Sequence, residues 1–209
     1  MGGLKTGSGT TCAPMSERGD DFYKTPPEAV YALLENFEVP QNVLEPACGD
    51  GAIVNVLRKT GRTVHALDLV YRECPDSGLG DFLTQKEPIP GVECCLTNPP
   101  FYLGHEFVRK SRELYPMTIM LLRLAFLESV RRTDILDAGD LMQVLLFRNR
   151  LPFMHREGWT GKKNSNSGMP FAWLIWKRDY QGPPLLRRIS WQKTRPLDPT
   201  PIEAYIAQN

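Results

Sequence analysis

No run of about eighteen apolar residues, the length a helix needs to cross a bilayer, occurs in this chain, so nothing in it predicts a membrane span. Histidine is scarce, with 3 in 209 residues. The 5 cysteines (Cys12, Cys48, Cys74, Cys94, Cys95) lack the paired two-residue spacing of zinc sites, which argues against a metal centre. An excess of one charge is missing too: 25 Lys and Arg against 24 Asp and Glu leave a net charge of +1, which speaks neither for nor against a nucleic-acid partner. There is no internal repeat. What remains is an ordinary globular composition, 42% hydrophobic, sized for one domain or one with a small appendage. Cysteines placed in a glycine turn and a strand-like run fit a reducing cytosol.

The most informative stretch is Asn98-Pro99-Pro100-Phe101, at the end of the run Val92 to Leu96. An amide, two prolines and an aromatic ring make a stiff ledge with two acceptors and a flat wall. Asn98 Oδ1 and the Pro99 carbonyl, held outward because both prolines fix φ, can each take one N–H of an exocyclic amine on a planar molecule. Phe101, with Tyr102 beside it, would stack on the ring. Asn-Pro-Pro is also an ordinary way to end a strand.

A second stretch, Glu45-Pro46-Ala47-Cys48-Gly49-Asp50-Gly51, lies between the apolar Val43-Leu44 and an amphipathic segment 52–60 bearing Ile53, Val56 and Leu57 on one face. This reads as strand, glycine turn, helix, a place where backbone approaches a ligand closely. Val64 to Leu67 then ends in Asp68, where a carboxylate at a strand end binds ribose hydroxyls in nucleoside-binding α/β folds. Gly80-Asp81-Phe82 and the Asn98 ledge follow. Asp68 or Asp81 alone reads equally well as a helix cap or turn residue, but three acceptor-bearing strand ends in order describe one crevice.

These motifs resemble those of S-adenosylmethionine-dependent methyltransferases that act on adenine N6 in DNA, with the gamma-type motif order. Phe22-Tyr23-Lys24-Thr25-Pro26-Pro27 is similar to their N-terminal cofactor motif. Arg123 to Glu128, Arg148 to Phe153 and Phe171 to Trp176 resemble segments of small phage and prophage enzymes, so the likeness spans about residues 22–177. The resemblance implies a Rossmann-like class I methyltransferase fold: a mostly parallel twisted sheet with helices on both faces and an antiparallel final strand. It implies that Tyr23, Thr25, Glu45, Pro46 and the loop Ala47, Cys48, Gly49 hold the methionine end of S-adenosylmethionine. Asp68 and Leu69 would then meet the ribose, Asp81 and Phe82 the cofactor adenine. Asn98, Pro99, Pro100 and Phe101 would receive the substrate amine. Asp50 departs from the usual small or neutral loop residue, and either pairs with a cofactor charge or caps the following helix.

Charge is local rather than global. Arg148, Arg150, Arg156, Lys162 and Lys163 form a basic stretch interleaved with Phe153, His155 and Trp159, suited to phosphates and bases of duplex DNA. A second cluster, Arg187, Arg188, Lys193 and Arg195 around Trp191, reads equally as a solvated loop. The pattern predicts strands near 42–46, 63–68, 92–97 and 117–122 alternating with helices near 52–60, 104–114 and 127–137. Thr25 with Glu28 predicts a capping box for a first helix whose buried stripe is Val30, Leu33, Leu34 and Phe37. Late strands at 142–148 and 171–177 would flank an insertion near 149–169 that reaches the substrate. Residues 1–20 read as a flexible leader; Met1-Gly2 formally fits a myristoylation pattern, but Gly, Ser and Thr crowd the segment. The catalytic domain would occupy 21–182 and a proline-rich tail 183–209, irregular save for a short helix at 202–207. The same ledge would serve structured RNA or a protein glutamine amide, and a non-catalytic nucleic-acid-binding module is the remaining alternative.

Overall fold

The computed structural model describes residues 22–152 and 168–192. Eight strands form one sheet: β1 (Asn42–Glu45), β2 (Thr63–Asp68), β3 (Ser77–Leu79), β4 (Cys94–Thr97), β5 (Met117–Arg123), β6 (Leu141–Phe147), β7 (Phe171–Lys177) and β8 (Leu185–Ile189). Their spatial order is β3-β2-β1-β4-β5-β7-β6-β8. Neighbours pair in parallel except β7, which runs antiparallel to both β5 and β6. The antiparallel strand is therefore last but one in the chain, and β8 follows it, parallel to β6.

Central strands of such a sheet are covered on both faces, which is why β4, β5 and β7 are near-continuous apolar runs rather than alternating ones. Period-two side-chain placement then splits each run between two cores. Ile119, Leu121 and Trp173 join the face covered by α1 (Pro27–Leu34) and α2 (Ala52–Lys59). Met120, Leu122 and Trp176 join the face covered by α3 (Gly104–Leu114) and α4 (Thr133–Leu136). Each tryptophan also ties its layer down, Trp173 Nε1–H donating to Ala29 O at 2.9 Å and Trp176 Nε1–H to Ile135 O at 2.7 Å.

Several expectations are corrected. The capping box is absent: Pro26 is the N-cap of α1, no side chain caps it, and Pro27 supplies the pre-set φ of a first helical residue. Asp50 does not cap α2 either, because Gly51 takes the cap position at φ 83° without a side-chain bond. The helix expected over 127–137 is broken into a 3-10 turn at Val130–Arg132 and the single turn of α4. Local polar bonds win there: Ser129 Oγ accepts the Arg131 N–H, and the Arg132 guanidinium, 4.2 Å over the Phe126 ring, donates to the Phe126 carbonyl at 2.9 Å. Two strands, β3 and β8, were not expected. The leader, the core of the basic insertion with Arg156, Lys162 and Lys163, and the helix proposed for 202–207 lie outside the described residues.

Candidate functional site

Every parallel strand delivers its carboxyl end to the same edge, and β7 begins there, so the loops after β1, β2, β3, β4 and β5 converge. One crevice runs along this edge. Its walls include Tyr23, Thr25, Pro46, Ala47, Cys48 and Asp50, then Asp68, Leu69, Asp81 and Phe82, then Asn98, Pro99, Pro100 and Tyr102. The strand ends that the sequence assigns to one crevice thus share one cavity, although Glu45, Gly49 and Phe101 are not on its wall.

The glycine turn is held by its neighbours. Asp68 Oδ2 accepts the Gly49 N–H at 2.8 Å, and the Cys48 N–H donates to Leu67 O at 3.0 Å, so the loop after β1 is pinned to the end of β2. Asp68 Oδ1 takes the Val70 N–H and the Arg72 guanidinium, both at 3.0 Å. A ribose on Asp68 would therefore replace Arg72. Asp81 sits exposed at the crevice and caps the turn Phe82–Thr84 through the Leu83 N–H at 2.9 Å. Phe82 is buried, 5.2 Å from Phe107, while Leu69 stands 70% exposed on the crevice wall.

At the ledge, the Asn98 amide is oriented by two acceptors. Nδ2 donates to Thr25 Oγ1 at 3.0 Å and to the Tyr23 carbonyl at 3.4 Å; since a carbonyl only accepts, the nitrogen end faces the N-terminal segment and Oδ1 is the opposite end. Phe101 does not line the crevice. Its ring stacks on Tyr23 at 4.6 Å, lies under the Arg123 guanidinium at 3.9 Å and tilts against Phe171 at 5.7 Å. A base can stack on it only after one of these partners moves. Tyr102, 57% exposed, is the ledge aromatic that meets the crevice directly.

Four consecutive residues bind this site together. Phe22 covers Gly49 so closely that an added Cβ there would lie 2.1 Å from its ring, and Arg72 stacks on its other neighbourhood at 5.0 Å. Tyr23 holds Phe101, Lys24 pairs with Asp50 at 2.5 Å, and Thr25 receives Asn98. The strap Phe22–Thr25 thus touches both the glycine loop and the ledge. The sequence singles out Tyr23 and Thr25, gives Phe22 and Arg123 only as members of family-like segments without a role, and does not mark Arg72, which here meets Asp68 four residues before it.

Glu45 is not on the crevice wall. It is fully buried behind the loop, where Oε1 accepts the Ala47 N–H at 3.3 Å. Burial pushes its carboxyl up to about 8, with the nearby Thr97 hydroxyl and the Ala47 N–H pulling the other way and the Asp68 charge adding to the rise. Cys48, Cys74, Cys94 and Cys95 are buried free thiols, and burial raises all four, so none is a nucleophile at neutral pH. Among the described residues no cluster of His, Cys, Asp and Glu could hold a metal ion, and no helix is long and apolar enough to cross a membrane. Arg148 and Arg150 are exposed just past the end of β6, with Leu151 buried beside them as an anchor.

No protein-family model matches the chain, and no curated protein matches it. Solved structures do. A candidate RNA methyltransferase from Pyrococcus horikoshii superimposes with a TM-score of 0.55 at 14% identity, over 74% of this chain and 86% of that one. The 23S rRNA methyltransferase ErmE gives 0.51 at 16% identity, over 77% and 71%. A modification subunit described for a type I restriction enzyme of Vibrio vulnificus gives 0.52 at 14% identity, covering 90% of this chain and 53% of that one. The strand order, the antiparallel β7 and these superpositions agree: the fold is that of the Rossmann-like class I methyltransferases.

Proposed function

We propose that this protein transfers the methyl group of S-adenosylmethionine to the N6 amino group of adenine in DNA, taking the base out of the duplex. The observation that carries the reading is the single crevice in which Asp50 and Asp68 lie on one stretch of wall and the Asn98-Pro99 ledge on the next. The residues fit the cofactor. Asp50 Oδ1 is buried without a hydrogen-bond partner among the described residues, an acceptor suited to the cofactor ammonium. Gly49, at φ 53°, is not on the crevice wall: the Phe22 ring fills the space beside it and Asp68 takes its N–H, so its part is the bend that sets Cys48 and Asp50 on the wall. When bound, the cofactor supplies an electrophilic methyl on a positively charged sulfur.

The chain's own residues orient and polarise. Adenine N6 is a poor nucleophile because its lone pair is delocalised into the ring. Two acceptors, Asn98 Oδ1 and Pro99 O, each taking one N–H, pull the pair back onto nitrogen and aim it along the crevice. Thr25 and Tyr23 keep Oδ1 turned to this task by occupying Nδ2. Asn98 and Pro99 would hold N6 toward the methyl that S-adenosylmethionine would give up, with S-adenosylhomocysteine as the leaving product, and with no base on the ledge the proton released by N6 would pass to water. In a duplex the base must first be extruded, at a few kcal/mol. Tyr102 at the crevice, and Phe101 once Tyr23 or Arg123 yields a face, would offset that by stacking.

RNA adenine is the second reading, favoured by the names of two of the superimposed structures. Tritiated S-adenosylmethionine offered in parallel with duplex DNA, single-stranded DNA, structured RNA and protein decides between them. Label in N6-methyladenine of DNA is expected; label in RNA or protein alone would replace the reading, and none in any substrate would remove it.

A further inference from the structure

The end of the sheet opposite the cofactor loops carries an unassigned concentration of charge. β6 and β8 run parallel in a register from Gln143↔Leu185 to Phe147↔Ile189, which sets Arg187 and Arg188 beside Leu145 and Leu146, with Arg148 and Arg150 leaving the strand end next to them. The two ends are tied: the Arg148 N–H donates to Ile189 O at 2.8 Å and Trp191 Nε1–H to Arg150 O at 3.1 Å. Arg148, Arg150 and Arg188 are exposed and Arg187 is half-buried. Residues 141–152, 168–177 and 183–192 contain no Asp or Glu. In a chain of net charge +1 this is a local excess of positive charge: at the other half of the same edge Asp50 and Asp68 are matched by Lys24 and Arg72, and no such partner stands in these segments.

Spacing says what such a face can reach. In the order β4-β5-β7-β6-β8, β6 and β8 are the third and fourth strands from the ledge on β4. At ~4.8 Å per strand they lie roughly 14–19 Å from it. A free small amine is too short to span that distance, so the partner is a polymer, and arginines without neighbouring carboxylates favour a polyanionic one. A duplex advances about 3.4 Å per nucleotide, so its backbone passes this face roughly four to six nucleotides from the base in the crevice.

We propose that the β6–β8 edge binds the phosphates of duplex DNA, Arg187 and Arg188 projecting from opposite faces of the edge strand β8 to straddle the backbone several nucleotides from the extruded base. This rests on the proposed methyltransferase reading. Arginines on an edge strand also discourage sheet-to-sheet association, and that role leaves DNA affinity untouched.

The test compares the wild type with R187Q/R188Q and with K59Q/K86Q, which removes equal charge from exposed lysines elsewhere. Binding to a fluorescent duplex is followed by anisotropy at several salt concentrations, and cofactor binding by calorimetry. The slope of log affinity against log salt is expected to fall by about two in R187Q/R188Q, at roughly 0.9 per contact, with cofactor affinity unaltered and little change in the control. An R187K/R188K variant restores the slope. In the wild type, duplex DNA is expected to protect Arg187 and Arg188 from phenylglyoxal, which keeps the test independent of whether a variant folds. An unchanged slope, an equal loss in K59Q/K86Q, absent protection, or tighter binding of single strands or RNA of the same length would each overturn the proposal. Methyl transfer is scored separately: protected arginines without methylated DNA sink the enzymatic reading and leave the face standing, whereas methylated DNA with an unchanged slope does the reverse.

Discussion

Asn98 shows how one side chain can be committed to a role by what holds its other end. Its Nδ2 is occupied by Thr25 and the Tyr23 carbonyl, so replacement by alanine removes the acceptor and two bonds to the strap together, and only comparing cofactor binding with turnover tells the two apart. Asn98→Ala is expected to bind S-adenosylmethionine within a few-fold of wild type and to lose about 100- to 1,000-fold in methyl transfer, the scale of losing one pre-placed polar group; single-turnover label transfer measures it, and near-normal turnover removes the ledge from the mechanism. Glu45 makes a prediction of a different kind. Its folded carboxyl titrates at about 8 against an ordinary value of 4.5. Between those values the unfolded chain has released the proton while the folded one keeps it, so stability falls as pH rises through this window and levels off above about 8. The slope should be on the order of 1 kcal/mol per pH unit. Denaturant melts of wild type against Glu45→Gln measure it: the variant, always neutral, should lose that slope, and parallel curves would disprove the assignment.

At the scale of elements, legibility followed burial pattern. β1, β4, β5, β6 and β7 announce themselves as apolar runs, β2 as an alternating strand, and α2 and α3 as amphipathic stripes, because their partners lie on faces the pattern encodes. The strands β3 and β8 were illegible for a shared reason: Ser77–Leu79 and Leu185–Ile189 are short edge strands, without a regular apolar alternation, defined by pairing to β2 and β6 rather than by their own residues. Asp68, Asp81 and Asn98 are legible as crevice residues because strand ends mark crevices. Phe22, Arg72 and Arg123 are not, since their contacts form across the sequence with Gly49, Asp68 and Phe101. The strap Phe22–Thr25 can be tested through the glycine beneath it. Gly49→Ala puts a Cβ 2.1 Å from the Phe22 ring at a φ of 53°, so the strap or the loop must shift. A drop of at least about tenfold in cofactor affinity is expected by calorimetry, from a backbone strain of about 1–2 kcal/mol plus the displaced ring; unchanged affinity would mean the strap rides freely.

Across the whole molecule, the two ends of one sheet edge differ in how charge is matched: Asp50 and Asp68 at the β1–β3 end are paired with Lys24 and Arg72, whereas the arginines at the β6–β8 end have no carboxylate within their own strands. The ledge on β4 lies between them. Such an arrangement couples the small ligand to the fold, because Asp68 ties the glycine loop to β2 and the strap ties that loop to the ledge. Ligand binding to the native state alone adds RT ln(1 + [L]/Kd) to stability, about 2.7 kcal/mol at a hundredfold excess over Kd. For a chain of this size each kcal/mol moves the melting temperature by about 2–4 °C, so S-adenosylmethionine at that excess should raise Tm by roughly 5–10 °C. Asp68→Asn should blunt the shift at the same ligand concentration, because the amide offers the ribose one acceptor oxygen where the carboxylate has two and also loosens Gly49. Asn98→Ala should keep most of it. Scanning calorimetry of the three proteins with and without ligand separates the possibilities: equal shifts in all three would detach Asp68 from the cofactor, and no shift in the wild type would detach the crevice from it altogether.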